Sequence, residues 1–225
     1  MTTAGLQVNN DSNQVLIDEN NKNYQLKTSG SGTCSTSQTS GGKTRYYTSI
    51  TITSVTAPLF AIGNTSGSAA VSLYFIGVSG SDWTFTVMSA TNGATFDYWV
   101  FDVATSSPEN FGLEVYTAAG ALAFHSGLKP LRIVDILTEA DGGDTYTSGR
   151  SYAVIQNQSG WRWTKIDFLT GTQYTAFLSA FSVTSGNVVS VGAMLYENFL
   201  MAGVHVDDSY TGEDTQFIVV DVTNL

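Results

Sequence analysis

The chain has 225 residues, of which 42% are hydrophobic and only 12% are charged, and its formal net charge is −10. This length and apolar content suffice for one large core or two small ones, while the negative charge argues against binding to nucleic acids or anionic membranes, because phosphate groups would be repelled. No apolar run is long enough to cross a bilayer, the first residues show no signal peptide, and abundant Thr, Val, Tyr and Phe favour strands over helices.

A short sequence motif, here called the opening phrase, lies near the start of each half of the chain. GLQV at residues 5–8 returns as GLEV at residues 112–115, about 107 positions later. In both copies a turn follows, then a short apolar run, and then a lysine, Lys22 in the first copy and Lys129 in the second. A repeated opening of this kind indicates two copies of one β-rich unit in tandem.

A second phrase closes each half, VFDV at residues 100–103 and VVDV at residues 219–222. Turn-forming Ser and Pro residues cluster between the halves at 106–108. The sequence therefore predicts an all-β fold of two tandem β-sandwich-like units with equivalent topology, residues 1–105 and 106–225.

Apolar or alternating runs between Gly-rich turns predict the strands in chain order. These predicted strands are 5–9, 14–18, 46–55, 59–62, 70–78, 83–88, 96–103, 111–116, 121–125, 129–136, 151–155, 161–168, 174–181, 188–196, 199–206 and 217–222. The run 70–78 is nearly continuously apolar, so we expect it to be buried on both faces. The strongest patterns predict that nine side chains are mostly buried, either in cores or between subunits, namely Leu6, Val8, Trp99, Phe101, Leu113, Val115, Phe124, Val219 and Val222.

Residues 28–44 have low complexity, with Ser, Gly and Thr in almost every position. Such a segment has little apolar surface to bury, so the composition predicts a long mobile loop. A loop of this length inside a compact domain is typical of an interaction loop.

Aromatic residues supply the candidate contact sites. The run FDYWVFD at residues 96–102 places aromatic side chains on both faces of a strand, which favours a central core strand, although an exposed ring would suit the apolar face of a sugar. Trp161 and Trp163 flank Arg162 on a later strand, which favours a core or a subunit interface. Tyr98, Trp99, Trp161 and Trp163 are therefore the residues predicted to contact a glycan or a partner if they are exposed.

The ionisable residues form no recognisable catalytic motif. Acidic groups cluster in loops at Glu139–Asp144, at Asp207-Asp208 and at Glu213-Asp214, but none has the spacing of a calcium loop, so solvated turns are expected. His125 and His205 stand alone, and Cys34 has no neighbouring Cys or His, which predicts an incidental thiol in a loop. The sequence thus predicts no enzyme, no metal and no cofactor.

Several of these segments together resemble a family of small tail proteins of tailed bacteriophages and prophages. They are GLQVNNDSNQVLIDE at 5–19, FDYWVFD at 96–102, GLEVYTAAGALAFHSGLKPLRIV at 112–134 and FIVVDVTNL at 217–225. The resemblance implies a minor structural component of the virion at the tail tip, baseplate or fibre, assembled in the host cytoplasm. The low-complexity segment 28–44 departs from the family pattern.

The resemblance also implies the partners. They are other phage tail proteins and further copies of the same chain, in a ring or in a trimeric or hexameric arrangement, with a host surface glycan or receptor as a further partner. Two other functions stay open at this point, a carbohydrate- or receptor-binding module of the tail and a capsid decoration protein.

Overall fold

The chain is built almost entirely from strands. The computed structural model describes residues 8–9, 15–17, 23–67, 69–103, 111–157, 160–168, 171–201 and 215–225. Within these residues lie eighteen strands and one 3-10 turn, Glu139–Asp141. No helix in the part of the chain that is described is long and apolar enough to cross a membrane.

Most strands lie at the alternating or apolar runs of the sequence, and the exceptions fall in residues 24–40 and 143–145. In the first half they are β1 (Val8–Asn9), β2 (Val15–Ile17), β3 (Tyr24–Cys34), β4 (Thr36–Ser40), β5 (Lys43–Ile52), β6 (Leu59–Gly63), β7 (Val71–Ser79), β8 (Asp82–Ser89) and β9 (Ala94–Val103). In the second half they are β10 (Glu114–Tyr116), β11 (Leu122–His125), β12 (Ile133–Thr138), β13 (Gly143–Thr145), β14 (Tyr152–Gln156), β15 (Trp161–Phe168), β16 (Gly171–Thr184), β17 (Val188–Met201) and β18 (Gln216–Asp221).

Two large antiparallel sheets pack face to face, which confirms the all-β, sandwich-like fold. One sheet has the order β12-β18-β14-β6-β9-β3, and the other has the order β13-β17-β16-β7-β8-β5-β4 with β15 paired to β16. Their inner faces interleave in one core, where the rings of Phe60 and Phe85 stack with centroids 4.5 Å apart. Phe96, Phe181 and Phe217 are also fully buried there. Burial of these apolar surfaces is the main stabilising contribution.

The two predicted units do not form two separate sandwiches, because each sheet combines strands from residues 1–105 and 106–225. In the first sheet the halves meet where β6 pairs with β14, and in the second where Val71 of β7 pairs with Phe181 of β16. From these contacts outward, the order is β6-β9-β3 on one side and β14-β18-β12 on the other. In the second sheet it is β7-β8-β5-β4 on one side and β16-β17-β13 on the other, with β15 paired to β16. Each half therefore contributes a continuous block of strands to each sheet.

The repeated openings form hairpins with the same register. Val8 pairs with Ile17 in β1–β2, and Val115 pairs with Phe124 in β10–β11, with a register shift directly after Val8 and after Val115. The equivalence of two whole units stays a prediction, but these hairpins have the pairing that it requires.

The strands that follow the hairpins also share an irregularity. Pairing of β3 with β9 shifts at Lys27, and pairing of β12 with β18 shifts at Val134, about 107 positions later. A bulge at matching positions bends both strands in the same way.

The two outer strands of the six-stranded sheet, β3 and β12, come close to each other at one end. The segment just before β12 pairs with the start of β3, since Leu26 N donates to Lys129 O at 2.8 Å and Leu131 N donates to Tyr24 O at 2.9 Å. The sheet thereby curves around a second cluster, which includes Trp99, Phe101, Ile155 and Val220 among its members. Curvature of this kind leaves fewer unpaired strand edges.

The expectation of a mobile loop at 28–44 is wrong. Most of β3, all of β4 and the first residues of β5 occupy this segment. Gly30 and Gly32 lie under aromatic rings of β9, where an added Cβ would come within 2.6 Å of the Tyr98 hydroxyl oxygen and 2.4 Å of Phe96 Cζ. The neighbouring strand supplies the apolar surface that the segment itself lacks, so its poverty in apolar residues did not prevent strand formation.

Burial agrees with most of the predicted core. Five of the nine side chains are buried, as predicted: Trp99, Phe101, Val115, Val219 and Val222. Phe124 is half-buried, and Leu113, just outside β10, is 48% exposed in the single chain, so its burial between subunits stays a prediction. Leu6 lies outside the described residues, as does the side chain of Val8.

Candidate functional site

Of the four aromatic residues predicted to contact a glycan or a partner, the structure describes the side chains of Tyr98 and Trp99. Trp99 is only 8% exposed and belongs to the cluster enclosed by the six-stranded sheet. Tyr98, on the opposite face of β9, is half-buried against Phe60, with ring centroids 5.3 Å apart. Trp161 and Trp163 lie in β15, and their side chains are outside what the structure describes. Trp99 is therefore a core residue, whereas contact with a glycan or a partner through Tyr98, Trp161 and Trp163 stays a prediction.

The acidic segment Glu139–Asp144, predicted to be a loop, forms a 3-10 turn followed by the start of β13. Asp141 accepts hydrogen bonds from the backbone N–H of Thr138 at 2.6 Å and from its hydroxyl at 2.9 Å, and these bonds lower the pKa of the carboxyl. Asp144 accepts from Thr145 N at 2.6 Å. Asp141 thus caps the 3-10 turn, while Asp144 bonds to the adjacent backbone N–H within β13, and no three metal-ligating side chains converge among the described residues. Asp207, Asp208, Glu213 and Asp214 lie outside them.

His125 is fully buried in the β10–β11 hairpin. Its Nδ1 accepts a hydrogen bond from Gly127 N at 2.9 Å, and its Nε2 lies 3.6 Å from a carboxylate oxygen of Glu114 on the paired strand. The hydroxyl of Tyr116 donates to the other oxygen of Glu114 at 2.6 Å, which raises the pKa of Tyr116. These contacts hold the hairpin together. His205 lies outside the described residues.

Cys34 is not in a loop, in contrast to the expectation. It is fully buried at the end of β3, and its thiol lies 3.6 Å from the carbonyl oxygen of Val87. Burial raises the pKa of the thiol to about 12. A thiol in this state is a poor nucleophile and a poor metal ligand.

A buried polar cluster joins the two sheets, and no motif in the sequence indicated it. The hydroxyl of Thr215 donates to the hydroxyl of Ser179 at 2.7 Å, and Ser179 donates in turn to Glu139. Ser179 also lies 3.2 Å from the carbonyl oxygen of Gly160. A serine bound to a carboxylate resembles an activated nucleophile, but Ser179 is only 2% exposed. The arrangement fixes strand ends and offers no approach for a substrate.

The aspartates of the two closing phrases are both buried. Asp102 accepts from Thr56 N at 2.8 Å and from Ala57 N at 3.0 Å. Asp221 accepts from Arg150 at 2.8 Å and from Arg132 at 3.4 Å. Burial alone would raise the pKa of Asp221, but hydrogen bonds from Thr223 and the two guanidinium groups outweigh it, so the pKa is lowered. Both carboxylates organise the chain where a strand ends.

Exposed apolar side chains identify the surfaces best suited to bind another protein chain. Three groups of large apolar side chains are at least 43% exposed: Phe75, Ile76 and Val78 in β7; Ile133, Val134 and Ile136 in β12; and Phe111, Leu113 and Tyr116 at the β10 hairpin. Exposed apolar groups that cluster along strands are typical of interaction surfaces.

The exposure of β7 corrects the expectation that the run 70–78 is buried on both faces. Only its first residues are fully buried, whereas Phe75 is 58% exposed and Val78 is 57% exposed. The reason is that β16 pairs with β7 at Val71 alone, so the rest of that edge has no neighbour among the described strands.

The strand β12 combines exposed side chains with an open edge. Among the described strands it pairs only with β18, so no described strand lies along its other edge. Ile133 is 58% exposed and Ile136 is 56% exposed. An apolar edge strand of this kind readily adds a strand from another chain.

No family model, no curated protein and no solved structure matches this chain.

Proposed function

We propose that this protein is a non-enzymatic structural component of a bacteriophage tail, located at its distal end in the tip, baseplate or central fibre. The resemblance of the GLQV, FDYWVFD, GLEV and KPLRIV segments to phage tail proteins supports the location. The protein is assembled in the host cytoplasm and then carried in the virion.

The observation that carries the mode of action is the apolar open edge of β12. Ile133, Val134 and Ile136 are exposed on a strand that pairs on one side only among the described strands. Assembly through such an edge buries apolar surface and adds a ladder of backbone hydrogen bonds. In a ring or another symmetric oligomer, each modest contact is repeated in every subunit.

The remaining composition supports the same function. Only 12% of the residues are charged, so subunit contacts need to bury few ions. A net charge of −10 suits a component that does not touch DNA. The partners are other tail proteins and further copies of this chain.

The assembly test replaces apolar side chains on β12 with charged ones. The double variant Ile133→Lys with Ile136→Lys should shift the purified protein from oligomer to monomer in size-exclusion chromatography with light scattering, because burying ammonium groups is costly. The matched control is Ser29→Lys, an exposed position on β3, the other outer strand of the same sheet. A wild-type protein that stays monomeric at high concentration would contradict assembly through this edge.

The location test deletes the gene in the phage. Particles should lack a normal tail tip or fail to adsorb to the host. Full tails that infect normally, together with unstable heads, would instead assign the protein to capsid decoration.

A further inference from the structure

A buried arginine on the eight-stranded sheet has no acidic partner among the described side chains. Arg45 in β5 is only 6% exposed, and its Nη1 donates to the carbonyl oxygen of Thr44 at 2.7 Å. Its Nε is buried and has no hydrogen-bond partner. Among the described side chains, no carboxylate lies within ion-pair distance of it. A guanidinium group stays charged under all physiological conditions, so this arrangement is costly unless an anion is bound.

Tyrosines surround the same place. Tyr47 lies two residues after Arg45 on β5 and therefore on the same face of the strand. Its ring lies 5.5 Å from that of Tyr74, and the hydroxyls of Tyr74 and Tyr196 are 3.0 Å apart. Burial lowers the pKa of Arg45, and the nearby phenol groups of Tyr47 and Tyr196 oppose this.

The fold brings these residues together from distant strands. Tyr74 lies in β7 and Tyr196 in β17, and the sheet curves so that β17 also approaches β5 directly. Beneath the tyrosines lies a small apolar cluster of Met88, Leu178, Ala180 and Met194. The three tyrosines are half-buried.

We propose that Arg45, Tyr47, Tyr74 and Tyr196 form a binding site for a carboxylate-bearing sugar, such as a uronic acid residue. The guanidinium group binds the carboxylate through charge-assisted hydrogen bonds. Tyrosine hydroxyls and ring faces suit the hydroxyl groups and the apolar face of the sugar. The net charge of −10 disfavours a dense polyanion, so the ligand has one or few carboxylates.

This inference is independent of assembly through β12. The site lies on the eight-stranded sheet, whereas β12 is an edge of the six-stranded sheet. Loss of sugar binding therefore leaves the oligomer test unchanged, and loss of assembly leaves the sugar site intact.

The test titrates the purified chain with D-glucuronate and follows the NMR signal of the Arg45 Nε–H. A saturable shift is expected with D-glucuronate and none with neutral D-glucose. Arg45→Gln should lower the affinity at least about tenfold, as for the loss of one charge-assisted interaction. The matched control is Lys27→Gln, which makes the same charge change at an exposed position and should bind like the wild type.

A second variant separates binding from folding. Arg45→Met should lose binding yet melt at the same temperature or higher, because it replaces an unpaired buried charge with an apolar side chain. A clearly lower melting temperature would show that Arg45 is structural and would overturn the proposal.

Two further outcomes would also overturn it. If acetate bound as tightly as D-glucuronate, the site would recognise an acidic group of a partner protein instead of a sugar. Glu197 follows Tyr196 in the sequence, so Glu197→Gln tests whether that acid neutralises Arg45. Binding that appeared only in this variant would mean that the wild-type arginine is already paired.

Discussion

Several buried polar side chains in this protein lie where strands end. Asp102 and Asp221 both accept backbone or arginine hydrogen bonds at the ends of β9 and β18, and Ser179 links Thr215 to Glu139. The closing phrases could be found in the sequence as repeats, but the partners of their aspartates lie elsewhere in the chain. A buried polar group that lacks a hydrogen-bond partner lowers the stability of the fold, so these pairs favour one arrangement of the strands over others.

Replacement of Asp221 should give a pH-dependent loss of stability. Its pKa is lowered in the folded protein, so its stabilising contribution is present above the unfolded pKa of about 4 and is lost as the pH falls through the folded pKa. Asp221→Asn should lower the free energy of unfolding by about 1–3 kcal/mol at pH 7. The difference from wild type should shrink below about pH 4 in urea titrations. Asp144→Asn, at an exposed carboxylate, is the control, and an equal loss in both variants would contradict this role.

The thiol of Cys34 should be inert in the native state. Its pKa is about 12 and the side chain is fully buried, so almost no thiolate is exposed at pH 8. A chromogenic disulfide reagent should label the native protein very slowly and the urea-unfolded protein at once. Rapid labelling of the folded chain would place the thiol at the surface.

At the scale of elements, alternation identified most strands, because one buried face imposes a period of two. The strands β8, β9 and β18 all lie where alternating or apolar runs placed them. Segment 28–44 was mispredicted because Gly30 and Gly32 are covered by rings that lie some 65 residues later in the chain. Likewise, nothing local to the run 70–78 reveals that β16 leaves its edge at Val71. Local composition does not reveal the packing contacts that a strand distant in the sequence provides.

An added methyl group at Gly32 should destabilise β3. Its Cβ would lie 2.4 Å from Cζ of Phe96, whose ring is 1% exposed and has no room to move. Overpacking of this kind costs about 1–3 kcal/mol, so Gly32→Ala should lower the urea midpoint. Ser29→Ala, at an exposed position of the same strand, should change stability by less than about 0.5 kcal/mol. If the two variants were equally stable, β3 would not pack on β9 as described.

At the scale of the whole molecule, the two halves share both sheets. The sequence repeats indicated the halves themselves, but the pairing of β6 with β14 and of β7 with β16 joins residues far apart in the chain. Such non-local pairs leave no mark on local periodicity, so the shared sheets could not be predicted from either half alone.

The halves should depend on one another for folding. Residues 1–105 and 106–225, expressed separately, each expose an unpaired strand edge at the junction and should be unfolded or aggregated, as judged by circular dichroism and light scattering. Co-expressed with a tag on one half, the two should copurify as a folded complex. A half that folded alone as a stable monomer would show that the units are independent.

The pairing of strands across the junction of the halves also affects folding while the chain is being synthesised. The partners of β6 and β7 emerge from the ribosome about 90–110 residues later, which at roughly 5–20 residues per second is a delay of several seconds. Throughout this interval the apolar edge of the first half has no partner and can associate with other nascent chains. The yield of folded protein should therefore depend on how quickly translation passes from residue 104 to residue 181, and on chaperones that shield β6 and β7 until then.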